Sequence, residues 1–447
     1  MTPPPVAGAP RRALLEDLYA TAVGAAAPGP AIARALADID LTDNRRIWLL
    51  ALGKAAHPMA EAAVTWLAQR GRQPAGGIVV PPAGAPAPHP ALPVVVGDHP
   101  EPGPGSLAAA DALGRAAAGV GPDDEVWVLL SGGATSLLGA PVEGIATAHL
   151  TELYALLLGS GLDITAMNRI RKRFSRWGGG RLAAALAPAR VRVFIVSDVI
   201  GDDLASIGSG PCVPDPTSAG EVRAALESCG LWARIPAPLR DLVSAVERGQ
   251  APETPKPGDP AFARVETRLI ASNRLALEAA AARARTLGLA PRVMEPVLSG
   301  EAGDAGRRIA ATVLSYCRRS GSQPDPGSVC LIWGGETTVT LGPAPSGRGG
   351  RSQELALAAA ERLAGAPEGS APAILAAGTD GRDGPTDAAG AIVDPGTWSA
   401  IRRAGRDPVR DLAAHEAYPA LDAAGALLRP GLTGTNVMDV VFGIVDG

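Results

Sequence analysis

The sequence predicts an α/β protein of two domains, the first built on a doubly wound parallel sheet. Short apolar runs rich in β-branched residues, typical of strands buried on both faces of a sheet, alternate with Ala- and Leu-rich helical segments. A chain of 447 residues is also too long for one ordinary core. Finally, several predicted strands end in glycines or carboxylates, and ligands bind at that edge of a parallel sheet.

The composition excludes several classes of protein. Hydrophobic residues make up 47% and charged residues 19% of the chain, which indicates a globular protein, and the net charge of -4 gives no basic footprint for nucleic acid. The four cysteines are scattered without a C-x-x-C pair, so neither a zinc site nor a disulfide framework is expected. Without a membrane-length apolar run or a signal-peptide core, we expect a cytoplasmic protein with no membrane partner.

The first candidate residue is Lys54, which follows the strand predicted at 46–52 and opens a helix through Arg70. A lysine at this turn can bind an anion at the helix N-terminus. The alternative is a solvated lysine, but the positive end of the helix dipole disfavours a purely structural one. Lysine is also rare here, occurring only at 54, 172 and 256.

The next two strands are predicted at 77–80 and 93–96, and the second of them ends near Asp98 and His99. An oriented acid–base pair and a plain polar turn explain these two side chains equally well.

The strand predicted at 125–130 runs into Ser131, Gly132, Gly133 and Ser136. Small residues before a helix can cradle phosphate with backbone amides and hydroxyl groups. The segment is not a P-loop, because no G-K-[ST] follows.

A basic segment, residues 168–182, carries six cationic residues, among them Lys172. We expect it to bind an anion in a cleft, although many basic runs form a solvated face or a nucleic-acid patch instead. The buried strand predicted at 191–196 follows it. Asp198 and the turn Gly208-Ser209-Gly210 come next, and carboxylates suit Mg²⁺ while bare amides suit phosphate. An Asx-rich surface turn is the alternative.

The second half of the chain begins after a proline-rich segment, 248–260, which predicts a linker or a domain-bridging loop. Strands are expected at 268–273, 291–294, 329–333, 372–377 and 440–445, with residues 337–341 pairing as a hairpin. Helices are expected at 274–287, 303–318 and up to 363.

Polar residues again follow these strands. Glu336 ends one of them, and Arg351 opens a helix, where a guanidinium can bind carboxylate or phosphate with two hydrogen bonds. Asp380 and Asp383 alternate with glycines after another strand, which favours Mg²⁺–nucleotide or substrate-hydroxyl binding over an EF-hand. Asn436 precedes the last strand, and it is one of four asparagines in the chain.

Taken together, these motifs resemble the type II glycerate 2-kinases, whose C-terminal half is the MOFRL domain. The resembling stretches are A-L-G-K-A (51–55), L-S-G-G-A-T-S-L-L (130–138), S-D-V-I-G-D-D (197–203), G-S-G-P-C-V-P-D-P-T-S (208–218), G-G-E-T-T-V-T (334–340), G-R-G-G-R-S-Q-E-L-A-L (347–357), G-T-D-G-R-D-G-P-T-D-A-A-G (378–390) and T-G-T-N-V-M-D (433–439). The resemblance implies ATP- and Mg²⁺-dependent phosphorylation of the 2-hydroxyl of D-glycerate to 2-phospho-D-glycerate.

The resemblance also implies a Rossmann-like N-terminal domain (1–257) and a MOFRL-type α/β domain (258–447), with the active site in the interdomain cleft. The family's active-site lysine and arginine map to Lys54 and Arg351. The remaining binding residues that we expect are Ser131, Gly132, Gly133, Ser136, Lys172, Asp198, Gly208, Ser209, Gly210, Asn273, Glu336, Asp380, Asp383 and Asn436. The expected metal ligands are Asp198, Glu336 and Asp380. The expected partner is a small hydroxy acid, with a homodimer as an option.

The chain departs from the family pattern at Arg173, Gly178, Ser352 and Met438, where histidine, lysine and two asparagines are usual. These departures leave open a different 2-hydroxy acid as acceptor, or a non-catalytic homologue. An NAD(P)H-dependent hydroxypyruvate reductase is the remaining alternative. The sequence disfavours it, because the first strand is followed by G-K-A-A-H-P rather than G-x-G-x-x-G.

Overall fold

The computed structural model describes residues 11–41, 44–162, 164–319, 328–342 and 347–445. They form two compact units. Residues 28–270 make up what we call the parallel-sheet unit, and the described residues of 1–27 and 271–447 make up the mixed-sheet unit.

The helices are α1 (Arg11–Ala26), α2 (Pro28–Ala37), α3 (Ala56–Ala68), α4 (Pro104–Ala118), α5 (Ala134–Leu137), α6 (Thr147–Leu158), α7 (Ile164–Phe174), α8 (Arg181–Leu186), α9 (Ala219–Ser228), α10 (Ala237–Glu247), α11 (Asn273–Thr286), α12 (Ala302–Arg319), α13 (Arg351–Leu363), α14 (Thr397–Arg403), α15 (Pro408–Ala413) and α16 (Ala417–Ala423). The strands are β1 (Ile47–Leu52), β2 (Gly76–Val80), β3 (Glu125–Ser131), β4 (Arg190–Val196), β5 (Val265–Ala271), β6 (Ala290–Val293), β7 (Val329–Gly335), β8 (Ala373–Gly378), β9 (Gly390–Val393), β10 (Leu427–Leu428) and β11 (Asp439–Val445).

The parallel-sheet unit contains a sheet of order β2-β1-β3-β4-β5. Strand β1 pairs in parallel with β2 and β3, and β3 pairs in parallel with β4, so the predicted parallel sheet is confirmed. In this doubly wound order the loops that follow β1 and β3 leave toward opposite faces. In sheets of this order, the crevice between two such loops at the carboxyl edge is where ligands bind.

The strand predicted at 93–96 is wrong. Val94 makes a single parallel bridge to Val79 beside β2. The amide of Val79 donates to the carbonyl of Pro93 (3.0 Å), and the amide of Val95 donates back to Val79 (2.9 Å). Proline has no N–H group to extend this ladder, so the segment stays a bridge at the edge of the sheet.

The mixed-sheet unit contains a sheet of order β10-β9-β8-β11-β7-β6. Strand β11 runs antiparallel to both of its neighbours, β7 and β8, while β6 pairs in parallel with β7. Asp439, the first residue of β11, lies opposite Gly335 of β7 and Gly378 of β8. The amino end of β11 therefore shares one edge with the carboxyl ends of its two neighbours.

The hairpin predicted at 337–341 is also wrong. Thr338 bridges Glu301 in parallel, and its amide donates to the carbonyl of Gly300 (2.8 Å). Beyond β7 the chain turns at Gly335, whose φ is 137°, a conformation open mainly to glycine. The segment consequently pairs with the loop before α12 instead of folding back on β7.

The two compact units differ from the predicted domain limits of 257 and 258, which stay a prediction. Helix α1 belongs to the mixed-sheet unit, and residues as far as 270 belong to the parallel-sheet unit. The proline-rich segment is anchored within the latter, because the buried Thr254 donates to Asp215 (3.0 Å) and Lys256 donates to the carbonyl of Thr217 (2.6 Å). Along the described segments, no helix combines the length and hydrophobicity that crossing a membrane requires.

Two glycines test the packing of the mixed-sheet unit. A Cβ on Gly306 of α12 would lie 2.1 Å from the carbonyl oxygen of Leu355 in α13, whereas a Cβ on Gly24 of α1 would meet nothing within 4 Å. We expect Gly306→Ala to destabilise the unit by about 1–3 kcal/mol through overpacking. The control Gly24→Ala should stabilise it by about 0.5–1 kcal/mol. Urea unfolding measures both, and equal stabilities would contradict this packing.

Candidate active site

The turns that follow β1 and β3 are joined at the carboxyl edge of the parallel sheet. The amide of Lys54 donates to the carbonyl of Gly132 (2.9 Å), and the amide of Ala55 donates to the hydroxyl of Ser131 (2.9 Å). Ser131 is buried, so its hydroxyl holds the two turns together instead of facing a ligand. The hydroxyl of Ser136 likewise serves its own turn, because it donates to the carbonyl of Gly133 (3.1 Å).

The side chain of Lys54 is exposed, and within the described part of the chain its ammonium has neither an ion pair nor a hydrogen bond. Its stem crosses Gly133, where a Cβ would lie 3.2 Å from Cγ and 3.3 Å from Cε of the lysine. Gly133 has a φ of 83°, which a larger residue would adopt only with strain. A cation without a counter-ion at this crevice is placed to bind an anion.

Asp198 comes two residues after β4 and lies against the same turn. A Cβ on Gly132 would be 1.8 Å from its Oδ2 atom, so only glycine fits beside this carboxylate. Burial raises the pKa of Asp198, although the neighbouring Lys54 opposes the shift. Asp203, by contrast, accepts from the hydroxyl of Ser206 (2.6 Å) and stabilises its own turn.

His99 is a residue of this edge that the sequence left undecided. The carboxylate of Asp98 accepts the amide of Ser106 (3.0 Å), so it holds the start of α4 and does not orient the histidine. The ring of His99 lies instead beside Gly133, where a Cβ would be 3.2 Å from its Cδ2 atom. Partial burial and the charge of Lys54 lower the pKa of His99.

The turn at 208–210 packs against the turn that follows β3. Its three residues have left-handed φ values of 57°, 65° and 58°. The buried Ser209 shares a hydrogen bond with Thr135 (3.0 Å), and its carbonyl accepts the amide of Gly179 (2.8 Å). A Cβ on Gly208 would be 2.9 Å from a methyl group of Leu130. These contacts favour a scaffolding role over the direct phosphate contact that we expected.

The structure does not support anion binding by the basic segment 168–182. Lys172 is 5% exposed, and its ammonium lies 3.3 Å from a carboxylate oxygen of Asp215. Arg173, which is fully buried, pairs with Glu253 and donates to the carbonyl of Thr217 (2.8 Å). The counter-ions of Lys172 and Arg173 lie far away in the sequence. The sequence alone therefore suggested unpaired charges where the structure has ion pairs.

In the mixed-sheet unit, Arg351 lies where β7 and β11 meet at one edge. Its Nε and Nη2 atoms donate to the two carboxylate oxygens of Asp439 at 2.6 and 3.0 Å, and it also pairs with Glu336. Burial alone would disfavour the cation, but the hydrogen bonds to Asp439 and the nearby carboxylates raise the pKa of Arg351. The Asp439 carboxylate is 5% exposed and that of Glu336 is 41% exposed, so only Glu336 is free to move.

Asp383 closes the N-terminus of α13. It is 5% exposed and accepts the amides of Gln353 (2.7 Å) and Ser352 (3.2 Å). Burial, together with the nearby Asp439, raises the pKa of Asp383 to about 7 despite these two hydrogen bonds. Since position 352 contributes its backbone amide here, the serine found in place of the family's asparagine leaves this bond intact.

A cavity of about 540 Å³ lies beside this helix terminus and is lined in part by Arg351, Asp380 and Asp383. Its wall also includes a pair that the sequence did not indicate, in which Nδ1 of His415 lies 2.8 Å from the carboxylate of the buried Glu354. His415 and Glu354 are 61 residues apart in the sequence, so no local pattern could indicate the pair.

The two asparagines of this unit position its backbone. Asn273 is buried and donates to the carbonyls of Val437 (2.8 Å) and Asp439 (3.0 Å), while Asn436 accepts the amide of Met438 (3.1 Å). Both contacts fix the start of β11 and therefore the position of Asp439. This geometry does not support direct substrate binding by Asn273.

The metal ligands that we expected, Asp198, Glu336 and Asp380, stay a prediction. Within the described ranges there is no group of three or more His, Cys, Asp or Glu residues that could hold a metal ion. Asp380 accepts the amide of Arg382 (3.0 Å) in its own turn, and Glu336 is engaged by Arg351.

Comparisons with known proteins place this chain in a family. The MOFRL family model matches residues 329–439, and the model of a domain of unknown function, DUF4147, matches residues 14–244. The chain is 38% identical to a glycerate 2-kinase of Pyrococcus horikoshii, over 90% of this chain and 87% of the relative. The chain belongs to the type II glycerate 2-kinase family.

Solved structures agree with the family's fold. A crystal structure of a glycerate kinase from Thermotoga maritima has a TM-score of 0.86 and 34% sequence identity, and the alignment covers 97% of this chain and 99% of that one. A relative from Agrobacterium vitis, 38% identical over 96% of this chain and 93% of its own length, carries a provisional name as a hydroxypyruvate reductase. The fold of the type II glycerate 2-kinase family therefore extends over nearly the whole chain.

The pKa of Asp383 predicts a pH dependence of stability. Because it is raised to about 7 in the folded chain, against about 3.9 when unfolded, the folded protein binds the extra proton between these values. The contribution of Asp383 to stability should therefore be complete below about pH 4 and lost as the pH rises through about 7. Urea unfolding across this range should show a smaller decline in Asp383→Asn than in the wild type, because other carboxyl groups with a raised pKa, such as Asp198, keep their contribution. The exposed Asp387, whose pKa is lowered chiefly by Tyr418, supplies the control Asp387→Asn, which should keep the decline.

Proposed function

We propose that this protein transfers a phosphoryl group from ATP to the 2-hydroxyl of D-glycerate and releases 2-phospho-D-glycerate. The observation that carries the proposal is that the Lys54 side chain crosses the glycine turn after β3 and that its ammonium is unpaired among the described residues. This chain is also similar to a glycerate 2-kinase. Phosphoryl transfer requires positioning and charge neutralisation more than covalent chemistry, and an unpaired cation supplies both.

Lys54 and Arg351 have different parts in this proposal. Lys54 neutralises the charge of the transferring phosphoryl group, since in the described ranges no carboxylate forms a direct ion pair with its ammonium. Arg351 binds a second anionic group, such as the carboxylate of the acceptor. Asp439 fixes the plane of the guanidinium, and the half-exposed Glu336 is the counter-ion that an incoming anion replaces.

Mg²⁺–ATP fits the residues of the β1 and β3 turns. Mg²⁺ in such enzymes is held by one or two carboxylates together with phosphate oxygens, so a complete protein cage is not required. Asp198 would supply the carboxylate, because it lies against Gly132 of the turn that follows β3. Burial raises the pKa of Asp198, and a bound cation would favour its ionised form. The ion would neutralise phosphate charge. A cytoplasmic location and, as an option, a homodimer belong to the same proposal.

Replacing Lys54 tests the proposal directly. Without the ammonium, the charge that develops on the phosphoryl group loses one stabilising contact, so Lys54→Ala should lower kcat by about 100- to 1,000-fold. ADP release with Mg²⁺–ATP and a panel of 2-hydroxy acids that includes D-glycerate measures the effect. Arg285→Ala, at an exposed residue of α11, is the matched loss of a cation and should retain activity. A fully active Lys54→Ala variant would refute this assignment.

A reductase is the second candidate, and the provisional name of the Agrobacterium vitis relative is the observation that favours it. The crevice between β1 and β3 lacks the G-x-G-x-x-G turn that binds a dinucleotide. We therefore expect no oxidation of NADH or NADPH when hydroxypyruvate is added, as followed by absorbance. Steady oxidation by the wild type that is absent from Lys54→Ala would replace the kinase proposal.

A further inference from the structure

His99 lies at the carboxyl edge of the parallel sheet, beside the turn that follows β3. It follows the bridge between Val79 and Val94, and the edge of its ring faces Gly133. The stem of Lys54 covers the same glycine, so an ammonium and an imidazole flank one turn at the carboxyl edge of the sheet.

Two other histidines of the parallel-sheet unit have identified partners. His57 contacts the carbonyl of Pro86 (2.8 Å), and His89 accepts the amide of Ala91 (3.1 Å). His99, in contrast, has no hydrogen-bond partner for either ring nitrogen among the described residues, and its side chain is exposed. Both nitrogens are therefore free to meet a ligand that enters the crevice.

Burial and one of the neighbouring charges favour the neutral form of the His99 ring. Lys54 comes from the β1 turn, Asp198 lies on the adjacent Gly132, and Asp98 and Glu101 belong to the turn of His99 itself. Partial burial and the ammonium of Lys54 lower the pKa of His99. A neutral imidazole can accept a proton, whereas an imidazolium cannot.

We propose that His99 accepts the proton of the substrate hydroxyl during phosphoryl transfer. The hydroxyl oxygen forms a bond to the γ-phosphorus as the bond between that phosphorus and the bridging oxygen breaks. The electron pair of the broken bond leaves with ADP, and the hydroxyl proton moves to an unprotonated nitrogen of His99, which later returns it to water. This role rests on the proposed function, in which Asp198 is assigned to the cation.

Kinetics across pH test the proton transfer. His99→Gln should lower kcat by about 100-fold with little change in KM. The wild type should lose activity at low pH, and this loss should be absent from His99→Gln. Added imidazole should partly restore His99→Ala. His89→Gln, on a neighbouring loop, should behave as the wild type. A variant at 99 that keeps the low-pH decline, or that changes only KM, would overturn this role.

Nuclear magnetic resonance supplies a readout independent of turnover. The chain has five histidines, so ¹³C-labelled imidazole signals can be assigned by removing His99. Lys54→Ala should raise the pKa of His99, because the neighbouring cation is lost, and D-glycerate without nucleotide should shift its signal. An unmoved signal would overturn the inference alone, whereas a wild type that phosphorylates no hydroxy acid would overturn the proposed function and this role together.

Discussion

The parallel-sheet unit depends on the contact between the turns that follow β1 and β3. The amide of Lys54 binds the carbonyl of Gly132, and glycine is the residue that fits between this backbone and the carboxylate of Asp198. Because β1 and β3 lie at the reversal of a doubly wound sheet, this contact also lies at the edge where such sheets bind ligands. The packing constraint on Gly132 therefore falls at the edge of the sheet that the proposed function uses.

The two cations of the proposed active site differ in their charge partners. Lys54 has an unpaired ammonium, whereas Arg351 is already held by Asp439 and Glu336. A free lysine has strong attraction for phosphate but little directional control. A guanidinium fixed by a buried carboxylate has a defined plane, and it can exchange its more exposed partner for a substrate anion. In the proposed function, Lys54 would therefore supply the attraction and Arg351 the orientation.

The sequence predicted the elements that local rules govern, and it failed where distant partners decide. Alternation of apolar strands and helices was enough to predict the parallel sheet, and a lysine after β1 marked its edge. Lys172 misled because its counter-ion, Asp215, lies in another loop. The pair of His415 and Glu354 had no local signal for the same reason. Pro93, by contrast, was a local indication against a strand. It has no N–H group, so the valines that follow it form only a single bridge.

Departures from the family pattern are best explained by the backbone. Position 352 acts through its amide, so serine in place of asparagine leaves the hydrogen bond to Asp383 unchanged. Met438 has a φ of 69°, a left-handed conformation that asparagine adopts more readily than methionine does. The methionine side chain is buried, and Asn273 holds this turn by donating to the carbonyls of the residues on both sides of Met438. Asp439 is thereby presented to Arg351 even though the residue before it has changed.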